Sequence, residues 1–112
     1  MTIKNKMTAK TLRELEKITG KLTLGKLIWA IRDADGISQI EFAEKLDISK
    51  QHLCDIEHNR KMISPKLAAK YAEILGYSKE QFIQLALQDL VDRDDLNVHI
   101  DVSDDSDSRW AA

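Results

Sequence analysis

The stretch Gln39-Ile40-Glu41-Phe42-Ala43-Glu44-Lys45-Leu46-Asp47-Ile48-Ser49-Lys50-Gln51-His52-Leu53-Cys54-Asp55-Ile56-Glu57 decides the fold. Ser38 precedes it, and Glu41 follows Ser38 by three residues, the pattern of a capping box at a helix start. Ile40, Phe42, Ala43 and Leu46 give this helix its apolar surface, and Asp47 ends it. Ser49 caps a second helix over about Lys50 to His58, with Leu53 and Ile56 inward and Ile48 filling the turn. Two helices with so little chain between them cannot lie side by side, so they cross steeply.

Upstream, Thr23 is a plausible cap for a helix from Leu24 to about Ala34, and Leu24, Leu27, Ile28 and Ile31 form its inner face. Asp35-Gly36 is a turn signal. Before it, a helix is expected over about Thr8 to Thr19. Thr11 and Glu14 resemble a capping box there, and Gly20 is its stop. Its stripe of Leu12, Leu15 and Ile18 is thin, so it should dock on the body or on a partner chain. Trp29 lies off the inner face of its own helix, and the expectation is that it covers the seam with this N-terminal helix.

Downstream, Asn59 is a residue that tolerates a left-handed stop, and Arg60-Lys61 follow in a loop. Ser64-Pro65 reads as a cap followed by a first-turn proline. That helix runs to Leu75, with Leu67, Ala68, Tyr71, Ile74 and Leu75 inward and Gly76 as its stop. Ser78 and Gln81 open a last helix reaching about Val91. Its apolar residues, Phe82, Ile83, Leu85, Ala86, Leu87, Leu90 and Val91, wrap more than half of it, and the surplus suggests a dimer interface. Leu96 to Val102 alternates apolar and polar residues, a strand pattern. The expected organisation is an N-terminal extension over 1–22, a helical domain over 23–91, and an acidic segment over 92–112 with a short strand at 96–102.

The chain has 112 residues, 43% hydrophobic and 32% charged, enough for one small core. No apolar run approaches the length of a membrane span, and the first residues carry no secretory pattern. The lone cysteine, Cys54, excludes an internal disulfide and suits a reducing compartment, so a cytoplasmic location is expected. The net charge of −2 is unevenly divided. Residues 1–88 carry 15 Lys/Arg against 11 Asp/Glu, whereas residues 89–112 carry 2 Arg against 8 Asp. The net charge by itself argues against a nucleic-acid partner, but a mildly basic body with an acidic tail is a different object from a uniformly acidic protein.

The steep crossing is the shape of a helix-turn-helix. From Leu24 to about Leu90 the chain resembles the Cro/CI-type (XRE) helix-turn-helix family. Ser38-Gln39, Ala43, Ile48-Ser49, Leu53 with Ile56, and Ile56-Glu57-His58-Asn59-Arg60 carry the resemblance. It implies an all-α, five-helix DNA-binding domain, here with an extra N-terminal helix. It also implies DNA contacts by Gln39, Lys50, Gln51 and Asp55, with Ser49, His52, Asn59, Arg60 and Lys61 near phosphates, and a structural ion pair between Arg32 and Glu57. Geometry agrees in part: Lys50, Gln51, Cys54, Asp55 and His58 lie away from the Leu53/Ile56 face. Gln51 suits a bidentate contact to adenine, and Lys50 suits guanine or a phosphate.

Asp47 and Asn59 stand where the family commonly has glycine. Asp55 is an acid on the expected DNA face: it can accept from cytosine N4 but repels phosphate, the alternative being that it marks a lost or unusual specificity. No nucleophile–base set or phosphate loop is visible, so an enzyme is not expected. Cys54 and His58 have metal-ligand spacing but no second pair, so neither a metal nor a cofactor is expected.

The function expected is a sequence-specific DNA-binding transcriptional regulator. It would be a dimeric repressor on a palindromic double-stranded operator, nucleoid-associated when bound. The size, the N-terminal helix and the acidic tail also resemble the antitoxin of a type II toxin–antitoxin pair, which implies a toxin protein partner and autoregulation. The competing class is a protein-interaction module of the same fold that has lost DNA binding.

Overall fold

The computed structural model describes residues 21–103. The helix expected over 8–19 and the tail beyond residue 103, with Trp110, lie outside the described residues. Five helices follow in order: α1 (Leu24–Asp35), α2 (Gln39–Leu46), α3 (Lys50–Glu57), α4 (Pro65–Leu75) and α5 (Lys79–Arg93).

Each helix starts on a hydroxyl. The side chains of Thr23, Ser38, Ser49, Ser64 and Ser78 accept from the backbone N–H of Lys26, Glu41, His52, Leu67 and Gln81, at 3.0–3.2 Å. One orphan donor per helix is thereby satisfied, an effect of about 1 kcal/mol each. The Glu41 carboxylate receives the Ser38 hydroxyl at 3.3 Å.

The helices also end alike. Gly36, Asp47, Asn59, Gly76 and Asp95 all have positive φ, between 55° and 80°. The residue after each donates its N–H back five residues, as in Ile37 to Arg32, Ile48 to Ala43, Arg60 to Asp55, Tyr77 to Ala72 and Leu96 to Val91. These are Schellman closures. Three of the links are a left-handed residue, an apolar residue and a capping serine: Gly36-Ile37-Ser38, Asp47-Ile48-Ser49 and Gly76-Tyr77-Ser78. Links this short fix the directions of successive helices.

The core joins all five helices. Leu27, Ile28 and Ile31 of α1, Phe42 and Leu46 of α2, Leu53 and Ile56 of α3, Tyr71 and Leu75 of α4, and Phe82 of α5 are almost wholly buried. Each such side chain contributes about 1.5–3 kcal/mol of burial. The helix-turn-helix is α2 and α3, with Ala43 buried and Ile48 packed against the core.

Several expectations are corrected. Residues 96–102 form no strand; no strand occurs among the described residues. The segment lies against α5, where glutamine side chains serve in place of a partner strand. Gln88 donates to the Val98 carbonyl at 2.7 Å and accepts from the Ile100 N–H at 2.7 Å, and Gln84 accepts from the Val102 N–H at 3.0 Å. Two extended residues advance about 6.6 Å and four helical residues about 6 Å, so the two repeats match. Ile100 and Val102 are half-buried while His99 and Asp101 are exposed, so the alternation is real but its partner is a helix. Ile40 is 56% exposed, because it lies on the opposite side of α2 from Phe42. Leu67, in the first turn of α4 at the border of its buried stripe, is 37% exposed.

Candidate nucleic-acid interface

The second helix of the motif, α3, is held from three sides. Leu53 and Ile56 anchor it in the core. Arg32 of α1 grips Glu57 with two parallel bonds, Nε to Oε2 at 2.7 Å and Nη2 to Oε1 at 3.1 Å, and donates a third to the Ile37 carbonyl at 3.1 Å. The Glu57 side chain is only 2% exposed and that of Arg32 17%. The bidentate fork gives geometric definition as well as charge neutralisation. Gln39, at the start of α2, donates to Glu57 Oε1 at 2.9 Å. One carboxylate therefore ties α1, α2 and α3 together.

The third anchor is Gly25. A Cβ at this position would collide with the Ile56 carbonyl and come within 2.7 Å of Asn59 Oδ1. The first turn of α1 thus touches the end of α3 backbone to backbone. Asn59 then receives the Thr23 hydroxyl at 2.7 Å, while that hydroxyl still caps α1.

Of the nine candidate DNA-contact residues, six are exposed: Ser49, Lys50, Gln51, Asn59, Arg60 and Lys61. Gln39, His52 and Asp55 are half-buried. Gln39 has part of its amide committed to Glu57, and Asn59 has its Oδ1 committed to Thr23. Lys50 and Gln51 stand in the first turn of α3. Lys61 follows the helix, with its N–H on the Asp55 carbonyl at 3.3 Å.

Asp55 is the hub of the exposed face. Its Oδ1 accepts from Gln51 Nε2 at 3.1 Å and from Arg60 Nε at 3.0 Å. Arg60 lies back along the helix, its Nη2 also reaching Cys54 Sγ at 3.5 Å. The Arg60 guanidinium, with the Gln51 amide assisting, holds the Asp55 carboxyl below the usual carboxylate range. Cys54 Sγ and His58 Nδ1 are 3.6 Å apart. No group of three or more His, Cys, Asp or Glu residues suited to a metal ion occurs among the described residues.

Trp29 is 47% exposed and lines a shallow cleft with Lys26, Arg32, Gln39, Glu57 and His58. The seam it was expected to cover lies outside the described residues. Sequence reasoning missed Gly25, whose need for hydrogen in place of a side chain arises only from the approach of α3. It also missed Asp89. This α5 residue accepts the Leu24 N–H, the first of α1, at 3.0 Å.

A short helix whose first turn is exposed, braced against a preceding helix across a three-residue turn, defines a helix-turn-helix protein. The comparison by family agrees: a model described as helix-turn-helix matches residues 30–82, from the middle of α1 into the first turn of α5. Over those residues the chain is similar to that helix-turn-helix family. Neither the curated proteins nor the solved structures give a match. No described helix is long and apolar enough to cross a membrane.

Proposed function

We propose that this chain is a sequence-specific transcriptional regulator that acts as a homodimeric repressor on a palindromic operator. The observation that carries the reading is the exposed first turn of α3, with Lys50 and Gln51, on a helix fixed by the Arg32–Glu57–Gln39 network. Gln51 reads a base edge in the major groove, Lys50 reaches guanine or a phosphate, and Ser49, His52 and Lys61 set the register on the backbone. Asn59 and Gln39 contribute through whatever bonding capacity their internal partners leave.

Dimerisation is supported by the surplus apolar surface of α5, where Ile83, Leu87, Leu90 and Val91 are only half-buried, and by exposed Leu96 and Val98 nearby. A dimer sets two copies of α3 in successive major grooves, about 34 Å apart. The role we favour is the antitoxin of a toxin–antitoxin pair that represses its own operon, with the acidic C-terminal segment facing a basic toxin. A small, basic, toxin-like reading frame beside the gene supports that role, and a lone gene counts against it.

Titration of selected DNA at several salt concentrations tests the DNA reading. The expected result is affinity that falls as salt rises and is reduced in Gln51→Ala. A flat salt response, or unchanged binding in that variant, sinks it. A second reading, an interaction module without DNA binding, draws on the engagement of Gln51 and Arg60 by Asp55. Retention of a protein partner together with no DNA retention at low salt favours it.

A further inference from the structure

Gln51 on the exposed face of α3 and Arg60 just beyond its end share one oxygen of Asp55. A carboxylate only accepts, so its contact with Gln51 fixes which end of that amide faces inward: the NH2 group. The amide is left with one free N–H and its carbonyl oxygen. Adenine offers N7 as acceptor and the N6 amino group as donor, the complement of that pair. Guanine offers two acceptors, N7 and O6, and a glutamine with one free N–H satisfies only one of them. Arg60, whose guanidinium is the usual partner of guanine, is held back by Asp55 and Cys54 at 3.0 and 3.5 Å.

Resting on the DNA-binding reading, we propose that Asp55 is a positioning residue and not a base reader. It orients Gln51 for adenine and latches Arg60 along α3, so that the motif discriminates adenine from guanine at the Gln51 contact. The spacing favours this, since residues four apart on a helix face one another. The arrangement also accounts for an acid on a surface that meets phosphate, because its charge is partly matched by Arg60.

Selection from randomised duplex DNA by the wild type, Asp55→Asn and Asp55→Ala tests the proposal. The wild type is expected to enrich adenine at one position of each half-site. Asp55→Asn retains an oxygen that accepts from Gln51 and Arg60, so it keeps that preference while binding more tightly, a phosphate-repelling charge having been removed. Asp55→Ala frees the amide to turn both N–H groups outward, and its adenine-over-guanine ratio falls about tenfold, within the range of one bidentate contact. An unchanged ratio in Asp55→Ala overturns the proposal. So does a cytosine preference in the wild type that vanishes in Asp55→Asn, which makes Asp55 a direct reader. A wild type that binds no DNA at low salt overturns the DNA reading itself, and with it this inference. Selective binding by the wild type with an unaltered Asp55→Ala profile overturns the positioning role alone.

Discussion

Asp47 carries the turn between α2 and α3 at φ 61°, ψ 44°, a conformation in which most residues with a Cβ are strained by about 1–2 kcal/mol. Gly36 and Gly76 make the equivalent closures without that strain. Asp47→Gly is therefore expected to raise stability by about 0.5–1 kcal/mol, the relief being offset in part by the freer unfolded chain. Urea denaturation measures it, and a loss of stability counts against the assignment. Gly25 behaves oppositely. Gly25→Ala sets a methyl group against the Ile56 carbonyl and is expected to cost about 2–3 kcal/mol by the same measurement. Asp47 was legible as a stop because it ends an apolar period and precedes a capping serine. Gly25 was not, because nothing within α1 demands a glycine; the demand comes from a helix that begins 25 residues later.

At the scale of elements, the five caps were legible because each is a local bargain between one hydroxyl and a backbone N–H three residues on. The Arg32–Glu57 pair was suggested by resemblance; the joining of Gln39 to it was not, since Gln39 was expected at DNA. Removal of one partner leaves a desolvated charge, so Glu57→Ala is expected to cost about 3 kcal/mol or more. A double replacement by apolar residues, Arg32→Met with Glu57→Leu, is expected to recover much of that loss in thermal denaturation. Equal destabilisation by the single and double variants contradicts this. Leu96 to Val102 has a related lesson. Alternation reported correctly that one side faces the protein, but a period of two does not name the partner. Gln84 and Gln88, one helical turn apart, supplied it.

At the scale of the molecule, Asp89 couples the last helix to the first. Its Oδ2 takes the first N–H of α1, its Oδ1 is buried without a hydrogen-bond partner among the described residues, and the ion-paired Asp92 and Lys21 act on it electrostatically. Burial, with the Asp92 charge adding to it, pushes the Asp89 carboxyl up to about 6, despite the bond from Leu24. The folded state therefore holds this proton more tightly than the unfolded chain, whose Asp titrates near ~3.9. The Asp89 contribution to stability is full below about pH 4 and is lost as pH rises through about 6. Asp89→Asn should match the wild type near pH 4 and gain on it steadily toward pH 7. A constant difference across that range contradicts the assignment. No local pattern marks Asp89 among the acids near it, because its partner is 65 residues away.

The same scale contains the function. On the proposed reading, a mildly basic body with a braced α3 and an apolar surplus on α5 would bind along one face of a duplex as a two-fold pair. Selection of randomised duplex DNA by the purified wild-type protein at low salt tests this most directly. The account predicts enrichment of an inverted repeat whose half-sites are about one helical turn apart. Recovery of a pool no different from the input contradicts it.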